Sequence, residues 1–222
     1  MPTYSIDPDI LLMFTARILA YLIAIPIHES AHAFVSYKLG DPTARNLGRI
    51  SLNPAKHFDL LGALFMLLLG FGWAKPVPVN TAYYANKKYL MAVSSLAGPI
   101  SNFILAFILM IIYKVIYIIF LVHPASVVLY WVVVILQYMI TINIILTIFN
   151  LLPVPPLDGS GIFLIFLPER IYFGIIKYER YLMIGFFLLV SSGILAPFLT
   201  QLQIAICSLL DRATSFMDIL YT

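Results

Sequence analysis

The sequence predicts an all-α polytopic membrane protein with about five to six transmembrane helices, and three observations carry that expectation. Hydrophobic residues make up 62% of the 222 residues against 10% charged, and the mean hydropathy is +1.00, which excludes an ordinary soluble domain. Apolar stretches run through Ile10–Ile27, Tyr89–Val122, Val127–Leu152 and Tyr181–Leu210, where about 20 such residues suffice to cross a bilayer. The basic residues sit in a few loops, so the net charge of +3 reads as membrane topology and not as a nucleic-acid surface. No repeat or low-complexity linker divides the chain, and residues 1–222 are expected to form a single integral-membrane domain.

In chain order, the N-terminus through Asp9 is acidic and has no basic n-region, so no cleaved signal peptide is expected. The first apolar run becomes long enough to span when it continues through His28–His32. Lys38, Arg45, Arg49, Lys56, Lys75, Lys87 and Lys88 follow it, which assigns that region to the cytoplasm. Within it, Phe58–Phe71 is apolar but short. If it crossed the membrane, the positive residues on its two sides would be split, so a re-entrant or interfacial hairpin is expected. Leu47–Asn53 is a candidate short strand near the site.

Counting onward, His123-Pro124 becomes an external turn, and Arg170, Lys177 and Arg180 return to the inside. The final stretch has room for two passes, broken near Gly193 and Pro197. The single cysteine, Cys207, cannot form an internal disulfide and reads as a small packing residue.

Against this apolar background stands His28-Glu29-Ser30-Ala31-His32. Residues i and i+4 share a helix face, so both imidazoles can bind one zinc ion while Glu29 reaches a water held there. His28 follows Ile10 by 18 residues, roughly 27 Å of helix, which puts the motif toward the cytoplasmic side of a core about 30 Å thick. Ionisable groups at that depth are costly unless paired or coordinated. The bland reading is a polar cluster holding helices together. Two imidazoles do not complete a catalytic zinc site, and the best candidate for a third ligand is Asp158, where the prolines of 153–156 break a helix at a similar depth.

His28-Glu29-Ser30-Ala31-His32, Ser95-Leu96-Ala97-Gly98-Pro99-Ile100-Ser101-Asn102 and the proline-rich run ending Leu157-Asp158-Gly159 together resemble the site-2 protease family of intramembrane zinc metalloproteases, in the family's order and over most of the chain. The segments Ser51–His57 and Gly72–Asn80 look like a compact bacterial or archaeal branch, without the PDZ insertion or nucleotide-sensing domain of some relatives. The resemblance implies a three-helix catalytic core in which His28, His32 and Asp158 hold Zn2+ and Glu29 is the general base. It implies a membrane-protein substrate cut in or near a transmembrane segment, at a site toward the cytoplasmic side of a prokaryotic plasma membrane.

By the same resemblance Asn102 binds substrate backbone or the oxyanion, with a helix-packing hydrogen bond as the alternative, and Asn150 is favoured for substrate positioning. Asn143 is left to packing and His57 to a hairpin or capping role rather than metal binding. Asp59, Trp73 and Lys75 are candidates for an entry path, with interfacial anchoring the alternative for Trp73 and Lys75. A substrate strand is expected to pair with the extended segment near Leu47–Asn53. Two rival functions stay open on sequence alone: a transporter or metal-permeation protein, which leaves the Glu between the His unexplained, and a catalytically inactive scaffold that binds membrane helices.

Overall fold

In the computed structural model the structure describes residues 8–69 and 73–220. Asp7 of the acidic N-terminus, Gly70 and Phe71 of the expected hairpin, and Gly72 just beyond it lie outside the described residues.

Three long helices form the centre: α1 (Pro8–Lys38), α4 (Lys87–Val122) and α5 (Val127–Asn150), each packed on the other two. All three are long and apolar enough to cross a membrane. α1 has 31 residues, about 46 Å of helix, and overshoots a core of about 30 Å. Along α1, Ala16, Ala20 and Ala24 recur every four residues and are fully buried, a row of small side chains that lets neighbouring backbones approach closely. α4 shows the reverse pattern. Its Ile104, Ile108, Ile112, Val115 and Ile119 are exposed, as expected of a face turned to lipid.

Caps fix where these helices begin. The Asn86 side chain accepts from Tyr89 N, and Ser126 Oγ accepts from Leu129 N, each satisfying a donor that the first helical turn leaves unpaired. α1 stops just before Gly40, whose φ of 104° is open to glycine and strained for other residues. The short helix α2 (Thr43–Asn46) follows.

The segment between α1 and α4 is the hairpin. Its helix α3 (Leu60–Leu69) has 10 residues, about 15 Å, half of what a crossing needs. Its two ends lie side by side: Phe58 and Ala74 form an antiparallel bridge, and Lys75 N donates to His57 O at 2.8 Å. The segment therefore leaves and returns on one side. Leu47–Asn53, expected as a strand, forms none, because Thr43–Asn46 is helical and a turn at Gly48 (φ 66°) follows it.

After α5, the prolines at 153, 155 and 156 interrupt the helix, and α6 (Asp158–Phe163) starts against its end. α7 (Glu169–Lys177), α8 (Glu179–Ser191) and α9 (Ala196–Ala213) complete the chain. The break expected near Gly193 and Pro197 is present, but α8 and α9 meet at 83° across it and count together as at most one span. α8, with 13 residues, reaches only about 20 Å. The all-α polytopic architecture is as expected, while the described residues hold three spans, or four with the bent pair, fewer than the five to six anticipated. α9 docks on α5 and α4 through the buried Leu210. Beside it the buried Lys114 of α4 meets Asp211 at 3.0 Å and Asp218 at 2.8 Å, pairing that offsets the cost of an ammonium at membrane depth.

Candidate metal centre

The metal-ligand side chains converge where α1, α4 and α6 meet. Helical spacing places His28 and His32 one turn apart on the same face of α1, both buried. Asp158 is the first residue of α6. Gly159 lets that helix begin hard against α5, since a Cβ there would lie 2.4 Å from the Leu151 carbonyl. The resulting triangle is tight: His28 Nε2 to His32 Nε2 is 3.0 Å, and Asp158 Oδ2 lies 3.1 Å from the first and 3.2 Å from the second. Among the described residues this is the group of His, Cys, Asp and Glu side chains able to share a metal ion.

Two observations show that the donor set fits zinc. A tetrahedral ion with bonds of about 2.0–2.1 Å to nitrogen and oxygen holds its ligands about 3.3–3.4 Å apart, and the observed edges are within a few tenths of an ångström of that. The protonation pattern agrees. His32 Nδ1 is 2.8 Å from the Ser94 carbonyl, which only accepts, so Nδ1 carries the proton and Nε2 turns a lone pair toward the other two ligand atoms. Asp158 Oδ2 is buried and has no hydrogen-bond partner, so its lone pairs are available to a cation shared with the two imidazoles.

Glu29 opens on a cavity whose lining includes His28, His32, Asp158, Pro76, Val77, Val79 and Asn150. In place of Leu47–Asn53, the segment expected to face the site, the wall here is formed by Pro76, Val77 and Val79. A relay of polar contacts holds that wall. Ser30 Oγ donates to Ser51 O at 2.5 Å, and His57 Nε2 reaches the same carbonyl at 2.6 Å. Arg49, also buried, then donates through its two terminal nitrogens to the carbonyls of Pro76 and Lys75. Asp41 ties the far end, accepting from Asn80 N at 2.7 Å and from Thr43 N at 2.9 Å. Arg49 read in sequence only as a loop charge, and nothing in its local pattern marks it as a carbonyl clamp.

Asn150 lines the cavity while its Nδ2 donates to Leu146 O. Asn102 is fully buried behind His28, with Nδ2 3.1 Å from His28 Nδ1, and does not line the cavity. The face of α4 that carries it is covered by α1. Asn143 is buried and donates to Met139 O. His57 stands at the hairpin base. Asp59 caps α3 through Gly62 N at 2.9 Å, and Trp73 packs on Phe65. Asp59, Trp73 and Lys75 are not among the cavity's lining residues.

His57 also makes the wall pH-sensitive. Burial holds its imidazole below the ordinary value, and the Arg49 and Lys56 charges add to burial against the opposing pull of Ser51 O and Glu29. A histidine whose folded pKa is lowered contributes stability that is fully present above its unfolded value of about 6.5 and is lost as pH falls through the folded value. Amide exchange of residues 49–58, corrected for intrinsic rates, is therefore expected to be faster at about pH 5.5 than at about pH 7.5. His57→Gln should shrink that difference; equal corrected rates in the wild type would count against it.

Residues 114–192 match the model of Peptidase family M50. The chain is 36% identical over 199 residues to the protein named "Putative zinc metalloprotease YwhC" of Bacillus subtilis (strain 168), covering 82% of this chain and 84% of that one. To MJ0611 of Methanocaldococcus jannaschii, with the same printed description, it is 31% identical over 168 residues, 72% of this chain and 73% of the relative. To Rip2 of Mycolicibacterium smegmatis, again so described, it is 29% identical over 158 residues, covering 67% of this chain but only 56% of the longer relative. No solved structure matches the chain.

Proposed function

As a member of peptidase family M50, the site-2 protease family, this chain is an integral-membrane zinc metalloprotease, and we propose that it hydrolyses peptide bonds in or near transmembrane segments of other membrane proteins. The observation that carries the reading is the convergence of His28, His32 and Asp158 within about one bond-pair of each other between helices long enough to span, with Glu29 on the same cavity. Zinc, when bound, supplies Lewis acidity toward water and the scissile carbonyl. His28, His32 and Asp158 would hold it through the three side-chain atoms they bring together. Glu29 takes the proton of the attacking water and passes it to the leaving amine. Asn150 positions the substrate from the cavity wall.

The basic residues between α1 and α4, and Arg170, Lys177 and Arg180 beyond α5, support a site on the cytoplasmic side of the membrane, and the similarity to bacterial and archaeal relatives suits a prokaryotic plasma membrane. A substrate helix arrives with its backbone amides hydrogen-bonded and shielded, so it must unwind locally before a carbonyl reaches the site. The Pro76–Val79 wall suits an unwound strand. Prolines 76 and 78 have no N–H, while Val77 and Val79, two apart, offer donor and acceptor on one edge.

Reconstitution tests this. The full chain in lipid vesicles is given a single-pass model segment in two forms, one with Gly, Asn or Pro near the scissile bond and one with Leu there. The helix-weakened form should be cut faster at equal insertion, and a zinc chelator should stop both reactions until zinc is restored. An uninterrupted Leu segment cut equally fast would sink the unwinding step, and no cleavage of either form would count against the substrate class.

A further inference from the structure

Both imidazoles of the metal centre rest on α4 by their Nδ1 atoms, and the three residues that receive them are spaced by four. Ser94, Gly98 and Asn102 fall on one face of α4: the Ser94 carbonyl meets His32 Nδ1 at 2.8 Å, the Asn102 amide meets His28 Nδ1 at 3.1 Å, and Gly98 lies against both rings between them. The Ser94 contact fixes His32 as the tautomer with Nδ1–H. No such choice is forced on His28, because an amide has one end that donates and one that accepts.

We infer that Asn102 is a positioning residue for the zinc ligand His28, its side-chain oxygen accepting from His28 Nδ1–H so that Nε2 faces the ion with a lone pair. The inference rests on the reading of His28 as a ligand. If Nδ2 donated to Nδ1, the proton of the neutral ring would sit on Nε2, aimed at His32 Nε2 and Asp158 Oδ2, and no metal could bind there. That orientation also leaves Asn102 Oδ1 fully buried with no donor. The two ends of an amide are told apart by their partners. Turning Oδ1 to the ring gives this acceptor its donor and gives His28 the same tautomer as His32. Metal-bound histidines almost always donate their second nitrogen to such an acceptor, and loss of the acceptor typically weakens metal binding 10–100-fold.

The test measures zinc affinity of the purified full chain by chelator competition, with three variants. Asn102→Leu, similar in size but with no acceptor, should bind zinc about 10–100-fold more weakly. Asn102→Asp, which keeps an acceptor in the same place, should stay within a few-fold of the wild type. His28→Ala is the control on the ligand reading. Asn102→Leu with wild-type affinity, beside a deficient His28→Ala, would overturn the role of Asn102 alone; wild-type affinity in His28→Ala would overturn the ligand assignment and this inference with it. Equal losses in the Leu and Asp variants would mark Asn102 as a packing residue, and an altered KM at unchanged zinc affinity would mark it as a substrate contact, each against the inference. Should Asn102→Leu fail to fold, the ring 15N resonances of the zinc-loaded protein decide. A displaced His28 Nδ1 signal in Asn102→Asp with His32 Nδ1 unmoved supports the bond, and an undisplaced one overturns it.

Discussion

Glu29→Gln is expected to keep zinc stoichiometry and helicity at wild-type levels while peptide cleavage falls by roughly two to four orders of magnitude, the usual worth of a positioned general base. That corresponds to about 3–5 kcal/mol of transition-state stabilisation. Gln has the shape of Glu and still accepts hydrogen bonds, so the cavity wall is conserved. It cannot take a proton. Glu29 follows His28 directly and lines the cavity beside both imidazoles, but is not in the triangle of donor atoms. A ligand role would make zinc content fall along with activity; a general-base role lowers turnover alone. Near-normal turnover with zinc bound would remove Glu29 from the mechanism.

How much of this was legible in the sequence depends on how local the determinant is. The pairing of His28 with His32 follows from a spacing of four, and membrane-length helices follow from composition, so both could be read directly. Asp158 is 126 residues beyond His32, and was legible because prolines mark where α5 ends and because the resemblance names that position. The Ser94 carbonyl was invisible, since a backbone acceptor leaves no trace in residue type. Asn102 was visible but ambiguous. An amide on a small-residue helix face looks the same whether it meets a substrate or the back of a ligand, and only the packing of α1 over that face separates the two.

The same limit explains the wall and the spans. Arg49 counts as one positive charge in a topology argument, whereas its use is to hold the Lys75 and Pro76 carbonyls across 26 and 27 residues of chain. Leu47–Asn53 is the extended candidate in sequence, whereas Pro76–Val79 is the segment that lines the cavity. Which one faces the cavity is set by the Ser30–Ser51 and Arg49 contacts, and these are tertiary. In the last apolar stretch, hydropathy could not distinguish two crossings from one broken element; the turn at Gly193, with its φ of 76°, decides the geometry.

Gly98→Ala should cost the metal centre at least as much zinc affinity as losing the acceptor behind His28, about 100-fold or more, although Ala is the better helix former by about 1 kcal/mol. The reason is space. A Cβ at position 98 would lie 2.3 Å from His32 Nε2 and 2.5 Å from His28 Cε1 and Nε2, well inside any tolerated carbon contact. Rings at the end of flexible side chains can often swing aside. These two cannot do so freely, because His32 is held at Nδ1 by Ser94 and His28 at Nδ1 by Asn102, both on the helix that would carry the new methyl group. Either α4 moves away from α1 or the rings leave the triangle with Asp158. Gly174→Ala is the matched control: it is another helical glycine, and a Cβ there meets nothing within 4 Å. It should bind zinc normally and be neutral or slightly more stable. The two accounts of Gly98 differ in which quantity moves. If it only permitted general helix approach, Ala would shift stability with zinc affinity unchanged in the folded protein; if it makes room for the liganded imidazoles, zinc affinity collapses while circular dichroism still reports the helices. Wild-type zinc affinity in Gly98→Ala would show that the rings can relax, and that the seat on α4 is looser than its hydrogen bonds imply.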